Sequence, residues 1–233
     1  MEKAQTGCHP KRCFLCKNCV PEWVPFVEEH KKILHFKKGE NIFTEGENVV
    51  GIYFLNSGKV KVHKQWNEEK QLIIRFVKEG EVLGHRGLGA GNRYPVSATA
   101  LEPTTLCFVD AAFFLASLKM NQGLTFQLLM FYSGELETAE LRMRDLVHMD
   151  TRGRIADALL MMQTNFGSDD QGTIRMQLTR QDLSSFVGTT YETVFKIINE
   201  LVREKSIFVK GKEIRILDAK KLQSYTQPVM HKK

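Results

Sequence analysis

The sequence has no apolar run that approaches the roughly 18 residues needed to cross a bilayer. Its first residues, MEKAQTGCHPKRC, lack the apolar stretch of a secretory signal peptide. Excess charge of one sign is modest, since the 233 residues carry a formal net charge of +6. We therefore expect a cytoplasmic globular protein without a membrane segment, long enough for one large domain or two modest ones. The basic balance favours a polyanionic partner only weakly.

Catalytic constellations are missing from the sequence as well. It shows no Ser-His-Asp arrangement, no phosphate-binding glycine–lysine loop and no paired-carboxylate site. The chain is therefore predicted not to be an enzyme.

Cysteine is scarce, and four of the five cysteines fall within twelve residues. Gaps of four, two and two residues separate Cys8, Cys13, Cys16 and Cys19. In a reducing cytosol, clustered thiols are metal ligands more often than disulfides. Zinc sites usually pair two C-x2-C units across a longer gap, whereas overlapping units suit an iron–sulfur cluster. Zinc, or incidental thiols on a tail, stays open as an alternative.

A β domain is predicted between residues 33 and 109. In GIYFLNSGKVKVHK, residues 51–64, apolar side chains alternate on both sides of an Asn-Ser-Gly turn. Further strands are expected in 71–84 and 96–110, around glycine and proline corners. Many short strands with such turns are typical of a small barrel or jelly roll.

One long amphipathic helix is predicted over residues 113–149, which contain no proline. Its length exceeds what a barrel of this size covers, which favours a coiled-coil dimer seam over packing on its own barrel. Asp150 is the expected N-cap of the next helix, with a hinge at 149–150. The predicted dimer interface consists of apolar residues at three- to five-residue steps, namely Leu124, Leu128, Phe131, Leu136, Ala139, Met143 and Leu146.

Residues 150–233 predict helices followed by a β-hairpin. The sequence LTRQDLSSFVGTTYETVFKIINELVREK gives two helices around Gly188, a spacing typical of a helix–turn–helix. Thr189 and Glu192 fit a capping box at the second helix. The hairpin SIFVKGKEIRIL, with Lys210 and Gly211 at its turn, would form a wing. The predicted buried face of the second helix is Val194, Ile197, Ile198 and Leu201.

The opposite face of the second helix carries side chains suited to reading DNA. Glutamate accepts from cytosine N4, lysine donates to guanine O6 or N7, and the lysines of a wing suit phosphates. A merely solvated helix face is the alternative. The predicted DNA contacts are Thr179, Arg180, Gln181, Thr190, Tyr191, Glu192, Thr193, Lys196, Lys210 and Lys212.

Four stretches resemble the CRP/FNR family of transcriptional regulators: KKGENIFTEGE, FLNSGKVKV, DTRGRIADALL and the helix–turn–helix sequence. The resemblance spans residues 25–225. It implies an α+β fold with a cyclic-nucleotide-binding-like β-barrel (a double-stranded jelly roll), a long dimerisation helix and a C-terminal winged helix–turn–helix. It also implies a homodimer that reads a palindromic operator in double-stranded DNA and contacts RNA polymerase. The expected segments are 1–24, 25–112, 113–149 and 150–233.

The recognition helix departs from the family pattern E-T-V-x-R, because Lys196 stands where the family has arginine. Lysine lacks the bidentate fork of arginine. Phe195 stands where small residues are common, and an aromatic ring there suits a thymine methyl group.

The barrel also departs from the cyclic-AMP-binding members, which carry G-E-L-G-L followed by R-S-A. His85 replaces the ribose-binding glutamate, and Val96 stands in place of the phosphate-binding arginine. Since burying a phosphate without that cation is costly, cyclic AMP is not expected. Another small or anionic effector stays open, with Gly84, His85, Arg86, Arg93 and Ser97 as the candidate pocket.

In the FNR branch, a central cysteine completes a [4Fe–4S] cluster, and Cys107 in ATALEPTTLC resembles that stretch. The resemblance matches Cys13 and Cys16 to the close pair, makes Cys19 the third ligand and leaves Cys8 spare. The gap between Cys16 and Cys19 is shorter than the family's, so a set of the four N-terminal thiols stays open, with Cys107 a buried core residue.

These patterns lead to one expectation and one alternative. The expectation is a regulator gated by an iron–sulfur cluster that oxygen or nitric oxide destroys. The alternative is a CRP-like regulator gated by a small effector in the barrel, with zinc-binding or incidental cysteines.

Overall fold

The computed structural model describes residues 10–67, 70–89 and 91–227. They fall into two compact units, Met1–Glu135 and Leu136–Lys233. The predicted α+β class, with a β-rich N-terminal unit and a helix–turn–helix in the C-terminal unit, is confirmed. The predicted division into four segments is finer than these two units and stays a prediction.

The first unit contains two four-stranded antiparallel sheets with strand orders β1-β8-β3-β6 and β2-β7-β4-β5. Glycine forms the tight turns between strands, as at Gly58, whose φ of +99° disfavours any other residue. The strands are β1 Lys32–Phe36, β2 Asn41–Phe43, β3 Gly51–Ser57, β4 Val60–Gln65, β5 Gln71–Val77, β6 Val82–Leu83, β7 Ser97–Ala100 and β8 Thr104–Asp110.

Strand β3 is buried on both of its faces, which explains its nearly continuous apolar sequence GIYFL. Tyr53 and Leu55 pack into the core between the two sheets. Ile52 and Phe54, on the other face, pack into a second core formed with helices. The alternation of side chains along one strand thus joins the barrel to its helical cover.

The helical cover consists of α1 Phe14–Asn18, a 3-10 turn Pro21–Trp23, α2 Val24–His30, α3 Ala111–Met120 and the first part of α4 Gln122–His148. The prediction of one uninterrupted helix over 113–149 is wrong. Asn121 has extended backbone angles (φ −121°, ψ 90°), and its side-chain amide donates to the Ser117 carbonyl at 2.8 Å. An asparagine that bonds to the backbone in this way competes with helix continuation.

The second unit begins with the end of α4 and continues with four helices and a hairpin. Asp150 caps α5 as predicted, since its carboxylate accepts from the Gly153 N–H at 2.7 Å. The elements are α5 Thr151–Phe166, α6 Arg180–Val187, α7 Tyr191–Arg203, β9 Ile207–Lys210, β10 Glu213–Ile216 and α8 Ala219–Tyr225. Across the described ranges, we find no helix that combines the length and apolarity of a membrane span.

Candidate DNA-binding face, barrel cavity and cysteine cluster

The corner between α6 and α7 requires glycine. Gly188 has a φ of +69° and donates its N–H to the Ser184 carbonyl at 3.0 Å. A Cβ at this position would lie 2.8 Å from Leu146 Cδ2. The left-handed backbone therefore favours glycine at the turn, and a Cβ there would require the Leu146 side chain to shift.

Threonine side chains cap both helices of the motif. Thr179 accepts from the Asp182 N–H at 2.9 Å and donates its hydroxyl to the Asp182 carboxylate at 2.6 Å. The cap of α7 is Thr190, which accepts from the Thr193 N–H at 3.2 Å. The predicted capping box beginning at Thr189 is thus wrong by one residue, because the Thr189 N–H still bonds to α6 at the Ser184 carbonyl.

Helix α7 presents the predicted face to solvent. Val194, Ile197, Ile198 and Leu201 are buried as predicted. Tyr191 and Phe195 are 45% and 53% exposed, and Glu192 and Lys196 beside them are exposed as well. Side chains suited to base edges are therefore accessible on one side of the helix.

The other predicted DNA contacts border this face in sequence and differ in exposure. Gln181 is exposed, whereas Arg180 is half-buried, and burial lowers the pKa of its guanidinium. Lys210 and Lys212 are exposed on the hairpin. Lys210 pairs with Glu213 across β9 and β10, so the turn itself is Gly211-Lys212, one residue later than predicted.

Arg142, which the sequence reasoning missed, fastens the end of α4 to α6. Its guanidinium donates to the Phe186 carbonyl at 2.8 Å and lies 4.2 Å above the centre of the Phe186 ring. Burial lowers the pKa of Arg142. Sequence periodicity does not distinguish an arginine that packs against its own chain from one that faces solvent, so it gave no signal for this residue.

The barrel contains a small cavity at the predicted effector position. The space within it that the centre of a water-sized sphere can occupy is about 10 Å³, which is roughly the room for one water. Gly84, His85 and Arg86 line it as predicted. Arg93 and Ser97 do not, because Arg93 donates to the Gly46 carbonyl at 2.6 Å and Ser97 accepts from the Glu45 N–H at 2.9 Å.

Glu135 of α4 reaches this cavity wall and was also missed. Its carboxylate accepts from Arg75 at 2.5 Å, from His85 Nε2 at 3.0 Å and from Arg86 at 3.1 Å. One turn earlier, the Tyr132 hydroxyl donates to the His85 carbonyl at 2.6 Å. Within the first unit, α4 is thereby tied to the residues that line this cavity.

The protonation states of this cluster follow from burial and charge. Burial by itself raises the pKa of Glu135, but the bond from His85 and the charges of Arg75 and Arg86 outweigh it and hold the pKa at about 2. Burial lowers the pKa of His85, so its neutral ring donates Nε2–H to the carboxylate. The glutamate is charged at neutral pH, and the arginines carry the compensating charge.

The predicted dimer interface needs correction at its N-terminal end. Leu124 and Leu128 are 0% and 6% exposed, and Phe131 packs against the same helical core of their own chain. Leu136, Met143 and Leu146 are exposed, as is Ala139. The exposed large apolar residues of α4 are Phe126, Leu129, Met130, Leu136, Leu141, Met143, Leu146 and Val147.

The described cysteines all belong to, or pack against, the helical core of the first unit. Cys13, Cys16 and Cys107 are buried in that core, and Cys19 packs against it. Burial, together with the nearby Cys13, raises the pKa of Cys19 to about 11. Cys8 lies outside the described residues. Among the residues that the structure does describe, no three His, Cys, Asp or Glu side chains are arranged to hold a metal ion.

Backbone and side-chain hydrogen bonds hold the cysteine segment on the barrel and its helices. The Phe14 N–H donates to the Gly80 carbonyl at 2.9 Å in the turn before β6. The Val20 N–H donates to the Asn121 side chain at 2.8 Å, and the Trp23 ring N–H to the Ser117 hydroxyl at 2.9 Å. The segment therefore rests on the junction of α3 and α4.

Comparison with known proteins agrees with this arrangement. The family "Cyclic nucleotide-binding domain" matches residues 33–121, and "Crp-like helix-turn-helix domain" matches residues 153–225. The chain is 24% identical to the CRP-like cAMP-activated global transcriptional regulator of Mycobacterium tuberculosis over 204 residues, covering 87% of this chain and 91% of that protein. It is 25% identical to the transcriptional activator protein FnrA of Stutzerimonas stutzeri over 225 residues, covering 93% and 92%. In fold it is similar to FixK2 from Bradyrhizobium japonicum, with a TM-score of 0.76 at 22% identity over 85% of this chain and 98% of that one.

Proposed function

The chain belongs to the CRP/FNR family of DNA-binding transcriptional regulators, and we propose that it binds a palindromic operator as a homodimer whose DNA affinity an iron–sulfur cluster controls. The family consists of transcription regulators rather than enzymes. The observation that carries the DNA-binding proposal is the exposed α7 face, with Glu192 and Lys196 projecting beside each other. We place the protein in the cytoplasm, where it would meet promoter DNA and RNA polymerase.

Operator reading is argued from the chemistry of α7. Glu192 is an acceptor suited to cytosine N4, and Lys196 is a donor suited to guanine. Lys210 and Lys212 on the hairpin are exposed and suit phosphates on either side of the groove. The presence of side chains suited to bases and of side chains suited to phosphates supports sequence-specific binding over a merely electrostatic one.

A gel shift tests this role of Lys196. We expect Lys196→Ala to weaken binding to an FNR-like palindromic site by about 1–3 kcal/mol, with the loss concentrated at one base pair of each half-site. Lys38→Ala is the matched control, since it removes the same charge from the exposed turn between β1 and β2. Equal binding by Lys196→Ala and the control would contradict the assignment.

The cluster proposal rests on the donor set and its surroundings. Thiolates are the ligands of [4Fe–4S] clusters, and Cys13, Cys16, Cys19 and Cys107 share one apolar core. Low exposure of this kind shields a cluster from solvent. Such a group supplies sensitivity to oxygen and nitric oxide. Binding would require deprotonation of the thiols, including Cys19, whose pKa is raised.

The contacts of the cysteine segment suggest how its state reaches the DNA-binding helices. The Val20 N–H is bonded to Asn121, the residue just before α4, and Phe14 packs on Phe131 of α4 with ring centres 5.7 Å apart. Loosening the segment removes these contacts from the helix proposed to form the dimer. Coupling free energies of this sort are typically 1–3 kcal/mol.

The alternative, a small effector in the barrel, is disfavoured by the Glu135 cluster. Arg75 and Arg86 already pair with a carboxylate of the same chain, and the cavity beside them leaves room for roughly one water. An entering phosphate, including that of cyclic AMP, would have to displace Glu135 and enlarge the cavity.

Metal and sulfide analysis after purification without air decides between these mechanisms. The cluster proposal predicts a brown protein with iron and acid-labile sulfide, both diminished in Cys107→Ser and retained in Cys8→Ser. Stoichiometric zinc without sulfide would support the structural-zinc alternative. A colourless protein without iron, sulfide or zinc would remove metal gating and leave the DNA-binding proposal intact.

A further inference from the structure

We infer that Tyr191 and Phe195 form an aromatic row on the recognition helix that reads the 5-methyl groups of thymines in the operator. The two residues are four apart on α7 and therefore lie on one side of the helix. Their ring centres are 6.4 Å apart, and their planes differ by 13°. The inference rests on the proposed DNA binding and specifies what that binding reads.

Exposure indicates that the row is built for a partner. Phe195 is 53% exposed and Tyr191 45%, although the helix buries four other apolar side chains in its own unit. Exposing aromatic surface to water on the outer face is unfavourable in free energy, and these rings add nothing to that core. Burial against an apolar group of another molecule recovers this free energy.

The neighbouring side chains identify the partner as the major groove of DNA. Glu192 and Lys196, also four residues apart, form a polar row directly beside the aromatic one. A polar row suits the donors and acceptors of base edges, while the thymine methyl is the apolar group that a major groove offers. The aromatic row therefore suits the thymine methyl groups, and the polar row suits the donors and acceptors of the neighbouring base edges.

The spacing of the rings predicts the spacing of the thymines. Successive base pairs are about 3.4 Å apart along the duplex, so rings 6.4 Å apart span about two steps. Each half-site should therefore contain methyl-sensitive thymines within about two base pairs of each other.

The test begins with selection of an operator from a random duplex pool by the full-length protein prepared without air. Each thymine of the selected operator is then replaced by deoxyuridine, which removes the methyl and keeps the hydrogen-bonding edge. We expect about a fourfold loss of affinity per methyl at one or two positions of each half-site. The loss should disappear in Phe195→Ala, which binds both forms of the operator alike.

Two control variants separate methyl reading from a general loss of binding. Tyr191→Phe keeps the ring and should keep the methyl dependence. Phe208→Ala removes an aromatic side chain of similar exposure, 48%, from β9 and should also keep it. Because Phe195 is on the surface, its substitution leaves the core of the unit untouched.

The outcomes distinguish this inference from the function on which it rests. If the selected operator binds equally with thymine or deoxyuridine at every position, the inference is overturned and DNA binding stands. Methyl dependence that persists in Phe195→Ala overturns the role of that ring. A pool that yields no enriched sequence overturns the sequence-specific DNA binding itself, and the inference with it.

Discussion

Single residues determine the local geometry of this chain where the backbone conformation or the surrounding charges restrict which side chain fits. Gly188 is one, because a left-handed φ and a close neighbour coincide there. Glu135 is another, because three donors converge on one buried carboxylate. The sequence predicted the first from the helix–turn–helix spacing. It did not predict the second, since a glutamate on a long helix has the same pattern whether it faces solvent or arginine.

Replacing Glu135 by glutamine should destabilise the protein at neutral pH. Glutamine keeps the shape but leaves Arg75 and Arg86 uncompensated, and breaking a buried ion pair is costly. We expect Glu135→Gln to lower the free energy of urea unfolding by about 2 kcal/mol at pH 7. Glu137→Gln, two residues on and exposed, should change it little.

The destabilisation caused by Glu135→Gln is predicted to depend on pH. The folded-state pKa of Glu135 is about 2, below its ordinary 4.5, so its stabilisation is present above pH 4.5 and is lost as the pH falls toward 2. Nearby Glu81, whose pKa burial raises, lies 3.9 Å from Arg75 and takes part in the same charge balance. The stability difference between wild type and Glu135→Gln should therefore shrink on acidification. A constant difference from pH 7 to pH 3 would show that charge is not its cause.

Gly188→Ala tests the corner of the helix–turn–helix. Alanine must adopt a left-handed conformation, which costs about 1 kcal/mol, and its Cβ meets Leu146. We expect a loss of about 1–3 kcal/mol in thermal or urea unfolding, together with weaker operator binding. In a Leu146→Ala background the cost of Gly188→Ala should fall to the backbone part alone. An equal cost in both backgrounds would contradict the contact.

The helices and their caps show which sequence patterns are sufficient to predict an element and which are not. The two helices of the reading motif, their buried face and the Asp150 cap follow from local patterns, and the structure confirms them. The cap of α7 shifts by one residue because Thr189 is still bonded to α6. The long helix breaks at Asn121 because the asparagine side chain competes for backbone hydrogen bonds. The periodicity of apolar residues does not reveal a break at a single residue.

The junction of α3 and α4 offers an element-scale prediction. Asn121 is fully buried, and its amide joins the Ser117 carbonyl to the Val20 N–H. Asn121→Ala leaves both groups without this partner, which should cost about 1–3 kcal/mol. We also expect faster proteolysis within residues 10–20, measured by limited digestion of the full chain. Gln122→Ala, exposed at the next position, is the control, and equal digestion of both variants would refute the anchoring role.

At the scale of the whole molecule, the apolar pattern of α4 serves two purposes that the sequence alone confuses. Leu124 and Leu128 continue the core of the first unit. A second series remains exposed and consists of Phe126, Leu129, Leu136, Met143 and Val147, at steps of three, seven, seven and four residues. The polar residues Ser133 and Glu140 divide the two seven-residue steps, so the positions alternate by three and four. Alternating steps of this kind are typical of a coiled-coil seam. One side of the helix therefore packs on its own chain while another stays exposed. The dimer prediction keeps Leu136 and Met143 and loses Leu124 and Leu128.

Charge placed in this second series should separate the proposed dimer. Leu129 and Leu136 are 63% and 61% exposed, so Leu129→Glu with Leu136→Glu leaves the described cores intact while setting like charges against each other across a seam. Analytical ultracentrifugation should show a dimer for the wild type and a monomer for the double variant. Leu115→Glu on α3, exposed to 45%, provides a charge control outside the series.

The double variant also separates dimer formation from DNA reading. A monomer keeps α7 and should bind a single half-site as the wild-type reading face does, but it loses the gain from a second linked half-site, which is commonly 10²–10⁴-fold. Affinity for the full palindrome should fall toward that for one half-site. If the double variant stays dimeric, the seam lies elsewhere on the chain. If it becomes monomeric and binds the palindrome undiminished, two-fold operator reading is wrong, and α7 acts as a single reading head.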